Sequence, residues 1–135
     1  MSAPRPGEKL PAMPLGRFDV AAIVRYAQVS GDDNPVHLDA TAARAIGLPD
    51  QVAHGMLIMG RLSRLALAWR ADAILEALDC RFTRPVPAGA ALSGEGRVAK
   101  VDAVADGHRV ILRLLARDAG GAITAMGEAT LRLPD

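Results

Sequence analysis

The segment 55–69 restricts the fold more than any other part of the chain, because it predicts a helix with very little polar surface. Apolar side chains cover most of the circumference of that helix: they are Met56, Leu57, Ile58, Met59, Leu62, Leu65, Leu67 and Trp69. A helix that is apolar nearly all round is usually buried rather than laid on a surface. The rest of the chain must therefore wrap around it.

The residues after this helix have the sequence patterns of β-strands, and we expect these strands to cover the helix. We predict four strands, over residues 77–86, 90–101, 108–118 and 122–133. The last is the clearest, because small or apolar residues at odd positions alternate with mostly polar residues at even positions. Turns at Asp106-Gly107 and Gly120-Gly121 indicate hairpins, so the sheet is antiparallel. One buried helix with a long antiparallel sheet defines an α+β fold, and the pattern permits the sheet to curl around the helix.

The N-terminal half carries shorter elements. Residues 8–17 predict a short first strand, which two prolines interrupt. Residues 19–29 predict a helix with an apolar face and Asp19 as its N-cap. A second short helix is expected over residues 40–46, before the next glycine and proline. The elements therefore leave residues 31–35, which are rich in turn formers, as a loop between two helices.

Length, charge and cysteine content exclude several classes of protein. The 135 residues and the net charge of +1 predict a single domain over 1–135, with no affinity for nucleic acid or for a membrane. Arginines interrupt the apolar stretches, so no segment predicts a transmembrane helix. The only cysteine, Cys80, leaves no internal disulfide, and the N-terminus lacks the apolar run of a signal peptide. We therefore expect a cytoplasmic protein.

The loop after the first predicted helix joins a carboxylate to an imidazole. Its sequence is Gly31-Asp32-Asp33-Asn34-Pro35-Val36-His37. Pro35 fixes its own φ and biases Asn34 toward an extended backbone, so the loop is stiff. A carboxylate can take a proton from water, and an imidazole can accept or release one near neutral pH. Asp32 and His37 are therefore candidates for an acid–base pair. The same residues also describe an ordinary Asx turn, in which His37 satisfies a loop carbonyl.

The start of the apolar helix is the second candidate position. The first N–H groups of a helix have no partner inside it, so a bare Gly55 N–H could receive a carbonyl oxygen that becomes an enolate. Alternatively, Gly55 only begins the helix in a tight space. Ser63 lies two turns further on, and a serine inside an apolar helix most often bonds back to a carbonyl. The histidines are too scattered in sequence to predict a metal site.

At these residues the sequence resembles the MaoC-like, (R)-specific enoyl-CoA hydratases. The family pattern Gly-Asp-x-Asn-Pro-(Leu/Ile/Val)-His is complete at residues 31–37, and a second block, (Val/Ala)-His-Gly-Met-Leu, matches residues 53–57. Residues 82–89 are similar to the family's Phe-x-x-Pro-Val-x-x-Gly segment, and residues 127–134 to its ending. The resemblance covers about residues 18–134 in the same order and with similar spacing.

The resemblance implies a hot-dog fold, assembled as a homodimer or a dimer of dimers. It implies addition of water to a trans-2-enoyl-CoA to give an (R)-3-hydroxyacyl-CoA, or the reverse. By the same resemblance Asp32 draws a proton from water, and His37 holds that water and helps to deliver a proton to the α-carbon. Gly55 supplies an N–H to the oxyanion, Ser63 supports the site, Asn34 shapes the loop, and His54 is structural.

The resemblance also implies an acyl-CoA thioester as the only small-molecule partner. No metal and no redox cofactor is needed, because the thioester itself acidifies the α-carbon and CoA is part of the substrate. Two alternatives stay open: a hot-dog acyl-CoA thioesterase, and a non-catalytic thioester-binding subunit of another chain. Arg61, Arg64, Arg81 or Arg84 could contact the phosphates of CoA, although for any one of them a solvated or dimer-edge arginine is the preferred explanation.

Overall fold

The computed structural model describes residues 3–135, which form five strands and four helices. In chain order they are β1 (Met13–Arg17), α1 (Val20–Ser30), α2 (Pro35–Leu38), α3 (Ala40–Ala45), α4 (Gly55–Trp69), β2 (Ile74–Phe82), β3 (Ala91–Val104), β4 (Gly107–Arg117) and β5 (Ile123–Pro134). None of the helices in this described part is long and apolar enough to cross a membrane.

The strands make one antiparallel sheet in the order β1-β3-β4-β5-β2, and α4 contacts every one of them. The two predicted hairpins join β3 to β4 and β4 to β5. Strand β2 lies at the edge of the sheet opposite β1, beside β5, and the short connection 70–73 joins it to the end of α4. The sheet curls around α4, so the predicted α+β hot-dog fold is confirmed.

Helix α4 has the predicted bounds, but it is buried on one face only. Ile58, Leu62 and Leu65 lie against the sheet and are at most 3% exposed. The opposite face is open in the single chain, where Met56 is 60% and Leu67 is 43% exposed. The prediction of burial on all sides is therefore wrong for this face of the helix.

The core is aliphatic, as a chain with few aromatic residues requires. Alternate residues of β4 and β5 point at α4, including Leu112, Leu114 and Leu131, which are all 0% exposed. Among the described residues, Phe18 is the only aromatic side chain in this core. Each strand thus presents one face to the helix and one face away from it.

Strand β2 differs from its prediction, since it covers 74–82 rather than 77–86. The chain leaves the sheet after Phe82, where the N–H groups of Thr83 and Arg84 both donate to the carbonyl of Thr124. The next residue is a proline, which has no N–H to continue the ladder. Loop 83–90 instead runs toward the start of α4. The helix α2 is a second difference, because the sequence predicted only a turn there.

Candidate active site

Three local hydrogen bonds shape the loop that carries Asp32. The Ser30 hydroxyl accepts from the N–H of Asp32 at 3.1 Å. The carboxylate of Asp32 accepts from the N–H of Asn34 at 3.3 Å, and the Asn34 side chain accepts from the N–H of Val36 at 3.1 Å. Asn34 thereby caps α2, so its predicted role in shaping the loop agrees with these contacts. The Asx-turn description is also right, and it is compatible with a catalytic Asp32.

The ring of His37 is oriented by a backbone carbonyl. Its Nδ1 lies 2.8 Å from the carbonyl oxygen of Val52, which can only accept, so Nδ1 carries the proton. The other nitrogen, Nε2, therefore offers a lone pair, and it lies 3.8 Å from Oδ2 of Asp32. The Asp32 side chain is 53% exposed and that of His37 is 13% exposed. Water can therefore reach the two groups and contact both at ordinary hydrogen-bond distances.

His54 holds both of these residues, a contact that sequence reasoning missed. It is 1% exposed, and its Nε2 donates to the backbone carbonyl of Asp32 at 2.9 Å. Its ring stacks on that of His37 with centroids 3.8 Å apart and an interplanar angle of 21°. The ring of Tyr26 also contacts that of His54, tilted by 60° at a centroid distance of 4.8 Å. The adjacent His-Gly pair before α4 was the only sequence signal for this role.

The Nδ1 atom of His54 is buried and has no hydrogen-bond partner among residues 3–135. Since Nε2 donates to a carbonyl, the neutral ring has its lone pair on Nδ1. His54 therefore acts by position, since it bonds to the Asp32 carbonyl and stacks on His37.

Gly55 follows His54 directly and begins α4, so its N–H has no partner inside the helix. A Cβ at this position would lie 2.8 Å from Cε2 of Phe82, so the tight-space explanation for the glycine is correct. A pocket of about 290 Å³ opens beside Gly55, bounded by Val52, Ile58 and the 82–86 segment. Gly55 can therefore both fit a tight space and offer an N–H to a substrate oxygen. The two explanations do not exclude each other, because the residue that packs against Phe82 without a side chain also lines the pocket.

Ser63 makes the back-bond that its helical position predicted. Its hydroxyl donates to the carbonyl of Gly60 in the preceding turn of α4. Eight residues separate Ser63 from Gly55, which is about 12 Å along a helix axis. The structure therefore brings Asp32 and His37 together beside Gly55, with Ser63 further along the same helix.

The four candidate arginines have different surroundings. Arg61 donates to the carbonyl of Leu15 at 3.0 Å and lies over the ring of Phe18, so it is a packing residue. Burial, with repulsion from Arg64, lowers the pKa of Arg61. Arg84 borders the pocket beside Gly55, which leaves it best placed of the four to meet a substrate there.

Asp32, His37 and His54 also form a possible metal-binding group, since one ligand atom from each lies within 4.8 Å of the others. Two ring nitrogens of this group already contact backbone carbonyls, which suits a hydrogen-bonded acid–base site better than a metal site. That the site uses no metal nevertheless stays a prediction.

A family model described as "MaoC like domain" matches residues 2–119, and the chain belongs to that family. A 3-hydroxyacyl-thioester dehydratase from Mycobacterium tuberculosis is 38% identical over 93 residues, which are 64% of this chain and 32% of the relative. An (R)-specific enoyl-CoA hydratase from Aeromonas caviae is 29% identical over 121 residues, 87% of this chain and 88% of the relative. Among solved structures, an (R)-hydratase from A. caviae superposes with a TM-score of 0.86 at 26% identity, covering 99% of this chain and 100% of that one.

The relatives differ in length from this chain. The matched part of this chain spans about a third of the M. tuberculosis dehydratase and 46% of a mitochondrial dehydratase from Arabidopsis thaliana. The fold and the family are therefore shared with proteins that carry additional sequence.

Proposed function

We propose that the protein is a hydro-lyase that interconverts a trans-2-enoyl thioester and an (R)-3-hydroxyacyl thioester, with Asp32 and His37 as its acid–base pair. The observation that carries the proposal is the pairing of a free imidazole lone pair with a carboxylate, 3.8 Å apart and open to water. The family supports an enzyme of the hydratase and dehydratase class. The (R) configuration and the CoA thioester rest on the similarity to the A. caviae hydratase.

In the hydration direction, a water held by His37 and Asp32 attacks the β-carbon of the enoyl thioester. Asp32 accepts a proton from that water as the new C–O bond forms. The electron pair of the double bond moves toward the thioester carbonyl, whose oxygen gains negative charge and meets the Gly55 N–H. A proton from the acid–base pair then reaches the α-carbon, so that the net change is the addition of one water.

The positions of these groups suit that sequence of events. The His37 tautomer is set by Val52, so Nε2 can accept a hydrogen bond from the water without a prior change in the ring. Helix α4 adds its N-terminal partial positive charge where the enolate oxygen develops. His54 connects the two halves of the site, because it contacts Asp32 and His37 and is bonded covalently to Gly55.

We further propose that two copies form a homodimer along β2 and that the second copy completes the substrate cleft. A single chain offers only about 290 Å³ beside Gly55, which is small for a CoA thioester. Strand β2 is an open edge of the sheet. Apolar side chains lie exposed along it and on α4, including Phe82 and Ile74 at 45% each and Met56 at 60%. Exposed apolar surface next to an open strand edge is typical of an interface.

The test of the reaction is the loss of enoyl-thioester absorbance with purified protein, over a series of acyl chain lengths. Asp32→Asn and His37→Gln should each lower kcat by about 10²- to 10⁴-fold, the usual contribution of a general acid or base. Asp33→Asn is the matched control, since Asp33 is an exposed carboxylate in the same loop, and it should retain activity. A thiol-trapping reagent in parallel detects thioester cleavage. Parent-like rates for Asp32→Asn, or release of thiol without hydration, would overturn the proposal.

Two further expectations stay predictions. The reaction should survive dialysis against a chelator unchanged, because no step above needs a metal or a redox cofactor. A cytoplasmic location is expected from the single cysteine and can be checked by fractionation of the source cells.

A further inference from the structure

The helix that carries His37 is too short to hold itself in place. Helix α2 has four residues, Pro35–Leu38, and each of them is exposed or half-buried. Isolated helices of this length are unstable, and helices in proteins are normally stabilised by an apolar face that packs against the core. Burial contributes little to α2, so other contacts must fix the helix and the imidazole that it carries.

The carbonyl end of α2 is held by the segment that precedes α4. The last carbonyls of a helix have no partner inside it. In α2 the carbonyl of Val36 accepts from the N–H of Val52 at 3.1 Å. The next carbonyl, that of His37, accepts from the side-chain amide of Gln51 at 3.0 Å. Two neighbouring residues of one segment therefore satisfy two consecutive carbonyls of the helix.

The same segment also holds the imidazole ring. The carbonyl of Val52 accepts from Nδ1 of His37 at 2.8 Å, which adds a third hydrogen bond between residues 51–52 and residues 36–37. One of these bonds grips the backbone of His37 and another grips its ring. Together they set both the place of the residue and the direction in which Nε2 faces Asp32.

This support is rigid because the core anchors it. The N–H of Ala53 donates to the carbonyl of Val86 at 2.8 Å, and the N–H of Ala88 donates to the carbonyl of Gln51 at 2.9 Å. Ala53 and Val86 are 7% and 2% exposed and belong to the hydrophobic core. Catalytic groups keep their geometry when hydrogen bonds fasten them to rigid, packed elements. The imidazole of His37 is therefore connected to the packed interior through the segment 51–53.

We propose that Gln51 is a positioning residue for His37, which keeps the imidazole beside Asp32 through the hydrogen bond to the His37 carbonyl. Of the three bonds, this is the one that a side chain of the supporting segment makes, so a substitution can remove it. The amide of Gln51 bonds to a backbone group, so it acts on the reaction through His37. The kinetic consequence rests on the proposed function, whereas the effect on the ring of His37 does not.

The loss of this bond should affect catalysis because of the distance that it controls. Nε2 of His37 lies 3.8 Å from Oδ2 of Asp32, and one water has to contact both atoms. A displacement of about 1 Å at a catalytic group can lower a rate by about 10²-fold. The two bonds from Val52 remain when Gln51 is replaced, so the displacement should be smaller and kcat should fall by about 10-fold. KM should be unchanged, because a group that acts through His37 adds nothing to ground-state binding.

The kinetic test compares two variants of Gln51 with a matched control. Gln51→Met keeps the length of the side chain but removes the donor, and Gln51→Lys restores a donor of similar reach. In the hydration of an enoyl thioester, Gln51→Met should have a lowered kcat at unchanged KM, and Gln51→Lys should recover part of it. The control is Gln28→Met, the same change at an exposed glutamine on α1, which should have the kcat of the parent.

A second measurement needs no substrate. Proton NMR with isotope-labelled histidine observes the Nδ1 proton of His37, whose bond to Val52 slows its exchange with water. Exchange should be faster in Gln51→Met than in the parent and in Gln28→Met, and circular dichroism checks that each variant is folded.

Parent-like exchange or a parent-like kcat in Gln51→Met overturns the proposal, and so does a Gln51→Lys variant that is as slow as Gln51→Met. A parent that does not hydrate any enoyl thioester would instead defeat the proposed function. In that case the exchange measurement still decides whether Gln51 positions His37.

Discussion

Replacement of Gly55 by alanine tests the link between the packing of α4 and the chemistry at its N-terminus. The added Cβ would lie 2.8, 2.9 and 3.1 Å from three atoms of the Phe82 ring. Ordinary carbon–carbon contacts begin near 3.5 Å, so the ring or the helix must move by roughly 0.7 Å. Overpacking of this kind costs about 1–3 kcal/mol. Because Phe82 is 45% exposed, its ring can turn partly aside, and the low end of that range is expected.

The effect on the reaction should be larger than the effect on stability. A displacement approaching 1 Å at a group that positions the reaction can lower the rate by about 10²-fold, and loss of an oxyanion donor costs a similar factor. We therefore expect Gly55→Ala to lower kcat/KM for an enoyl thioester by roughly 10- to 100-fold. The melting temperature should fall by only about 4 °C, which corresponds to about 1 kcal/mol for a chain of this length.

Two further variants test whether contact between the added Cβ and the Phe82 ring causes the loss of rate. Phe82→Leu in the Gly55→Ala background removes the clashing ring atoms and should restore part of the lost rate, which a double-mutant cycle measures. Gly60→Ala is the matched control, because a Cβ at Gly60 meets nothing within 4 Å on the same helix. It should leave the rate unchanged and stabilise the helix by up to about 1 kcal/mol. Parent-like activity and stability for Gly55→Ala would refute the reasoning.

Three other predictions concern the core, the positioning histidine and the cysteine. His54→Asn is too short to bond to the Asp32 carbonyl, so kcat should fall by about 10-fold or more. His54→Gln is long enough to keep that hydrogen bond, so its kcat should be partly restored. Equal rates in the two variants would contradict a positioning role. Leu62→Ala should cost about 2–5 kcal/mol in chemical denaturation because Leu62 is 0% exposed, whereas Val29→Ala should cost under about 1 kcal/mol because Val29, on α1, is 82% exposed. Burial, with a smaller contribution from Asp79, raises the pKa of the Cys80 thiol, so alkylation near pH 8 should be slower in the folded protein than in denaturant; equal rates would count against that burial.

Local sequence was sufficient for the parts of the fold that depend on neighbouring residues. The helix α4 has its predicted bounds because its apolar pattern and its starting glycine are local signals. The hairpins around β4 follow from their glycine turns in the same way. The prediction failed at β2, where the strand ends at Phe82 because loop residues 83 and 84 bond to Thr124, some forty residues later in the chain. A distant hydrogen-bond partner has no signature in the strand itself.

The sequence alone determined the loop that presents Asp32 and His37, since its bends come from side chains that bond to backbone groups two residues away. Only the tertiary structure decided that His54, twenty-two residues from Asp32, holds that loop and stacks on His37. Likewise, the register of the sheet, which no single strand reveals, places Arg113 of β4 between Arg97 of β3 and Glu128 of β5. The physical reason is range: turn geometry is set by adjacent residues, whereas contacts between elements depend on how the whole sheet packs around α4.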